Sequence, residues 1–167
     1  DTDAIKFDKP ESFYAATKIC SEIIASQFTE FFDITILRYF FVYGRNQKSG
    51  MLVPRLIENV SSGIPIDLQG SSGLVINPIY VSDACEATIN ALNLVGFNTI
   101  NVAGPKQISI KQMSLEIGSK LNKEPLFNVS EVKTPEKFVA DIHNMTMLLH
   151  NPEYDFKNAL GHVIDQN

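Results

Sequence analysis

Tryptophan is absent from this chain, and cysteine occurs only twice in 167 residues. Cys20 and Cys85 lie far apart, each in a stretch of helical patterning. They read as reduced, small apolar core residues of a cytoplasmic protein, not as a disulfide framework. His143, His150 and His162 stand at no metal-ligand spacing with either cysteine, so no metal ligand is assigned. Basic runs are missing too. A net charge of −5 and a pI near 5.1 exclude a sequence-independent nucleic-acid binder, which needs a positive stripe to meet phosphates. The most apolar stretch, Ile34 to Tyr43, is too short to span a bilayer and contains Arg38. The opening Asp1-Thr2-Asp3-Ala4-Ile5-Lys6 lacks signal-peptide character and an initiating Met, and the chain reads as the latter part of something longer. Gly70-Ser71-Ser72-Gly73 lacks both the lysine of a P-loop and the strand–loop–helix setting of a dinucleotide fingerprint, so it reads as a turn.

What is present is a chain with 44% apolar and 20% charged residues, enough for one sizeable soluble core. After Pro10, apolar residues at Phe13, Ala16, Cys20, Ile23, Ile24 and Phe28 recur three and four apart. That spacing predicts a helix of about four turns running from Glu11 towards Phe31, with one apolar face. Tyr14 and Lys18 are an i,i+4 pair on this helix, about 6 Å apart along its axis. A fixed ammonium beside a phenol favours the phenolate and suits the pair to proton transfer. Taken alone, the pair fits a surface tyrosine packed on a lysine stem better.

Asp33 opens a strand, and Ile34 to Val42 reads as buried on both faces, as in a parallel sheet. Arg45 to Gly50 is then a loop at the carboxyl end of a parallel strand, where open α/β sheets bind ligands. A helix follows from Met51 to Ser61, with Pro54 in its first turn and Gly63 just past its end. Ile66–Gln69 is a short strand, and Leu74 to Val81 is extended with an irregular point at Pro78. Ser82 or Asp83 caps a helix running to Val95. Thr99 to Ala103 is a strand, Ser109 caps a helix to Leu121, and Asn122 suits a left-handed C-cap. Leu126 to Val129 is one more strand, and beyond Thr134-Pro135 short helices occupy 143–149 and 155–164.

Four stretches in this order carry a resemblance: Tyr14-Ala-Ala-Thr-Lys18, Leu37-Arg-Tyr-Phe-Phe-Val-Tyr-Gly44, Asn77-Pro-Ile-Tyr-Val-Ser-Asp83 and Ile100-Asn-Val-Ala-Gly-Pro105. Together with the tail from Asn151 to Gly161, they resemble the C-terminal half of the extended short-chain dehydrogenase/reductase family, the NAD(P)-dependent epimerases and dehydratases. The resemblance implies an α/β fold: a partial Rossmann-like parallel sheet plus a small α/β substrate-binding lobe. Residues 1–44 would be the remnant of the Rossmann domain. Residues 45–167 would be mainly the substrate lobe, with 74–103 partly returning to the Rossmann sheet.

By this resemblance Tyr14 moves a proton at a substrate hydroxyl while a hydride passes to or from nicotinamide. Lys18 lowers the tyrosine's pKa and holds the nicotinamide ribose, and Tyr39, Phe40, Phe41 and Val42 lie near the nicotinamide. Phe41, Arg45, Arg55 and Asn77 are the candidate substrate contacts. Everything the family places before Tyr14, including its Gly-rich pyrophosphate loop, has no counterpart in the chain. NAD or NADP is therefore expected for the longer parent, with weak or no binding by this chain alone. Phe41 and Ile76 stand where nucleotide-sugar members usually carry Asn and Arg, which points away from a nucleotide-sugar substrate. A small molecule, with sugar derivatives among the candidates, is the expected substrate; no nucleic acid or membrane partner is expected. The strand at 34–42 lacks most of the sheet it should join, so a homodimer or association through an exposed sheet edge is expected. A truncated, non-catalytic interaction module is the alternative.

Overall fold

The computed structural model describes residues 12–131 and 136–164. The polar segment before Ser12, with Glu11, and the Thr134-Pro135 break lie outside the described residues. Helix α1 (Ser12–Ser26) leads through hydrogen-bonded turns to strand β1 (Ile34–Tyr39). Then follow α2 (Leu52–Ser62), β2 (Ile66–Gln69), β3 (Val75–Ile76), α3 (Val81–Ala91) and β4 (Phe97–Val102). The remainder is β5 (Ile108–Ser109), α4 (Ile110–Leu121), β6 (Phe127–Ser130), β7 (Lys137–Phe138), α5 (His143–Leu148) and α6 (Phe156–Ile164). The chain is α/β with parallel pairing, as expected.

Strand β1 pairs with β4 in parallel, Ile34 opposite Phe97 through Tyr39 opposite Val102. The carboxyl ends of both strands therefore open into one corner. Over them, Ile79, Ala84, Ala87, Ile100, Val102, Met145 and Leu149 form one apolar core, built by α3 and α5 against β4. A second core lies beyond the corner. Apolar positions three and four apart on α2 (Val53, Leu56, Val60) and α4 (Met113, Ile117) meet Ile66 and Leu68, the inward residues of β2. Strand β2 pairs in parallel with β6, and β3 lies between β5 and β7. The caps follow the sequence: the Ser109 side chain accepts from the Gln112 amide, and Asn122 and Gly63 adopt left-handed conformations. Gly104 lets two loops touch, because a Cβ there would stand 1.9 Å from the Pro78 carbonyl oxygen.

Four local expectations change. Strand β1 stops at Tyr39, and none of its residues is fully buried, because among the described residues only β4 pairs with it and α1 lies over it loosely. Helix α1 ends at Ser26, several residues short of Phe31. Its apolar stripe faces outward, with Phe13 76%, Ile23 58% and Ile24 61% exposed. Cys20 and Cys85 are free but exposed, not core residues: Cys20 shares the uncovered side of α1, and Cys85 lies on an outward face of α3. Asp83 does not cap α3. The N-cap is Tyr80, with no side-chain hydrogen bond, and the helix ends at Ala91.

Candidate active site

Tyr14 and Lys18 stand one turn apart on α1, both exposed, with Lys18 Nζ 5.3 Å from the centroid of the Tyr14 ring. The ammonium lies over the ring, and the phenol is open to solvent. Behind this pair, Arg38 at the end of β1 makes a two-pronged contact with Glu22 on α1, Nε to Oε1 at 2.9 Å and Nη2 to Oε2 at 2.6 Å. The guanidinium holds the Glu22 carboxyl below its usual range. This pair is what aligns α1 on the strand, so Arg38 anchors the element carrying Tyr14.

The segment after β1 builds the floor of the corner. The Phe40 amide continues the ladder to the Val102 carbonyl at 2.9 Å. Thr88 donates to the Ala84 carbonyl, leaving its oxygen to accept from the Tyr39 hydroxyl at 2.6 Å, which ties the strand end to α3. Phe41 then adopts a φ of 47°, a left-handed conformation that bulky residues rarely take. It turns the chain back under β7, where Phe138 stacks on Phe40 (5.3 Å) and meets Phe41 edge-on (5.9 Å). Tyr43 is 1% exposed and packs on Tyr80 and Phe156; burial, with Asp155 nearby, pushes its phenol well above the ordinary tyrosine range. A cavity of about 40 Å³ lies here, lined by Phe41, Val42, Gln47, Met51 and Pro78 among others.

The remaining candidates are placed apart. Arg45 Nε donates to the His162 carbonyl at 2.6 Å and so braces the last turn of α6. Arg55 lies exposed on α2. Asn77 is 3% exposed, with its amide committed to backbone: Nδ2 to the Ala140 and Gly104 carbonyls, Oδ1 accepting from the Ala140 amide. It stitches the two strand-end loops to the segment after β7. Phe41 alone of these four lines the cavity.

Sequence reasoning missed one buried polar centre. Asp83, 2% exposed, accepts from His150 Nε2 (2.8 Å) and from the Glu153 and Tyr154 amides (both 3.1 Å). A helix-start position explained the aspartate locally, and no short-range pattern connects it to residues about seventy positions later. Among the described residues no cluster of His, Cys, Asp or Glu could hold a metal, and no helix is long and apolar enough to cross a membrane.

The family described as NAD dependent epimerase/dehydratase matches residues 1–103. The chain is 33% identical over 96% of its length to a UDP-glucuronate 4-epimerase of Thermodesulfobacterium geofontis, of which it covers 52%. It is 26% identical to a probable UDP-glucuronate 4-epimerase of Rhizobium meliloti, over 86% of this chain and 44% of that one. Among solved structures, the UDP-glucuronic acid 4-epimerase of Bacillus cereus in complex with UDP-glucuronic acid and NAD superposes with a TM-score of 0.80 at 27% identity, over 99% of this chain and 56% of that one. The chain thus spans about half the length of the relatives it matches.

Proposed function

Because the chain belongs to the NAD dependent epimerase/dehydratase family, we propose that it is the Tyr14–Lys18 half of an NAD(P)-dependent sugar-nucleotide oxidoreductase. The observation that carries this is the exposed tyrosine–lysine pair, one turn apart on a helix anchored to the parallel strand by Arg38. Residues 1–44 belong to the cofactor domain and 45–167 mainly to the substrate lobe; the pairing of β4 with β1 supports the return of 74–103 to the cofactor sheet.

The residues present fit only the nicotinamide end of the cofactor. An exposed ammonium and phenol on one helical face can meet ribose hydroxyls and a substrate hydroxyl, whereas no Gly-rich pyrophosphate turn exists in the sequence. Bound there, NAD or NADP would supply hydride acceptance and return. Tyr14 would hold or release the proton at the substrate oxygen, and Lys18 would orient the ribose. The backbone of Tyr39 to Val42 would floor the nicotinamide site. Against the expectation drawn from Phe41 and Ile76, a nucleotide-linked sugar is the substrate class we favour, on the strength of the relatives' names.

The given residues hold no pyrophosphate turn, and among the described residues the uncovered stripe of α1 and the open edge of β1 are where the complementary half or a second copy would pack. We place the protein in the cytoplasm. The test is nicotinamide fluorescence, unobscured by tryptophan, during NADH and NADPH titration of the chain alone and with the N-terminal half of the Thermodesulfobacterium relative. Saturation is expected only with the added half. Tyr14→Phe should keep that binding yet lower turnover by at least about a hundredfold. Undiminished turnover in Tyr14→Phe would overturn the proposal. Pairing without any turnover would favour a non-catalytic interaction module, the reading suggested by the exposed aromatic and aliphatic residues of α1.

A further inference from the structure

Tyr14, Lys18 and Glu22 follow one another at four-residue intervals, so they share one face of α1. Lys18 therefore has a neighbour on each side: a phenol ring one turn before it and a carboxylate one turn after it. Each attracts an ammonium, and the lysine stem can lean towards only one of them at a time. In the structure it leans to the ring, with Nζ 5.3 Å from the Tyr14 centroid. An exposed ammonium–ring contact and an exposed ion pair one helical turn apart are of similar strength. Helix geometry by itself does not decide between them.

What decides is that Glu22 is already engaged. Arg38, on the facing strand β1, reaches both of its oxygens, Nε to Oε1 at 2.9 Å and Nη2 to Oε2 at 2.6 Å. A planar fork matched to both oxygens outcompetes a single charge on a flexible stem. Hydrogen bonding by Arg38 is also the leading reason that the Glu22 carboxyl lies below its usual range. Glu22 has strong reason to take a cation, because it stands one turn from the negative carboxyl end of α1, whose last turn carries no basic residue. Lys18 is the only basic residue within Ser12–Ser26. Without Arg38, Glu22 would therefore draw Lys18 away from Tyr14.

We infer that Arg38 is a positioning residue for Lys18: by occupying both oxygens of Glu22, it keeps that carboxylate off the ammonium and leaves Lys18 with Tyr14. This goes beyond holding the helix to the strand, which any firm contact between α1 and β1 would do. Its catalytic consequence rests on the role proposed above for Tyr14 and Lys18.

The experiment is NMR on the 167-residue chain, reading the ring-current shift of the Lys18 ε-methylene and its NOE to the Tyr14 ring, assigned with Lys18→Arg. Arg38→Met should lose about half of both signals, since an exposed pair one turn apart redistributes a side chain about twofold. Adding Glu22→Gln to Arg38→Met should restore them, because the competing carboxylate is gone although the anchor is still missing. Glu22→Gln alone should match the wild type. Unchanged signals in Arg38→Met, or no recovery in the double variant, overturn the inference. Should Arg38→Met fail to fold, Glu22→Gln decides: a stronger Lys18–Tyr14 contact than in the wild type would mean that Glu22 competes in spite of Arg38. Turnover with the N-terminal half of the Thermodesulfobacterium relative added should follow the same order, and recovery of the contact without recovery of turnover overturns the catalytic role. Absence of turnover in the wild type removes the Tyr14–Lys18 reading instead, while the NMR result still decides what Arg38 does.

Discussion

Asp83 should be the most sensitive polar position in the fold. Its carboxylate is 2% exposed and accepts three hydrogen bonds, from His150, Glu153 and Tyr154. It therefore fastens the 150–154 segment, and through it the entry to α6, onto the first turn of α3. Hydrogen bonds to a carboxylate contribute roughly 1.5–3 kcal/mol each, without strict additivity. Asp83→Ala removes all three and strands two amides and an imidazole, so it should cost on the order of 3–5 kcal/mol. Asp83→Asn keeps the shape but offers one acceptor, turning an NH2 towards groups that donate; about 2–3 kcal/mol is expected. With a urea m-value of about 2 kcal/mol/M, the Asn variant should lower the unfolding midpoint by roughly 1–1.5 M. Amide exchange at Glu153 and Tyr154 should quicken in the same variant, which distinguishes loss of this latch from general loosening. A midpoint shift under about 0.3 M with unchanged exchange at those two amides would mean that Asp83 does not hold the 150–154 segment.

Gly104→Ala should destabilise by about 2–4 kcal/mol, since the new Cβ collides with the Pro78 carbonyl and would break the Gly104 amide bond to Asn77. Gly50→Ala, with open space at its Cβ, should stay within about 0.5 kcal/mol in the same urea assay. On acidification, Glu22 and Asp155 work in one direction. Arg38 lowers the first, and Lys106 with the Asn158 amide lowers the second, so each contributes stability above its unfolded value (4.5 and 3.8), lost as pH falls through the depressed folded value. Their partners are exposed, so each contributes less than about 1 kcal/mol; urea midpoints should decline gently below pH 4.5, and Lys106→Met should remove part of that slope. Tyr43 works in the alkaline direction. Its raised folded pKa means stability is full below its unfolded value of 10 and lost above it. Absorbance titration should show its phenol ionising only with unfolding, and Tyr43→Phe should remove that late component.

Features that depend on near neighbours were legible from the order of residues alone. The helix carrying Tyr14 and Lys18, the caps at Ser109 and Asn122, the glycine turn at 70–73 and the alternation of β2 are set by contacts within a few residues. The order of the short motifs was legible for the same reason, and it led to the family that the comparisons support. Tertiary structure decided whatever depends on what comes to lie opposite. An apolar stripe announces that a face seeks cover, yet only the arrangement of elements leaves Phe13, Ile23 and Ile24 outside and, among the described residues, gives β1 a single partner strand. Asn77 looked available to a ligand until the loop after β7 supplied its backbone partners. Asp83 looked like a cap until a segment some seventy residues later brought three donors to it. Glu22 carried no signal of its own. Its partner is set because strand β1 brings the Arg38 guanidinium to both of its oxygens.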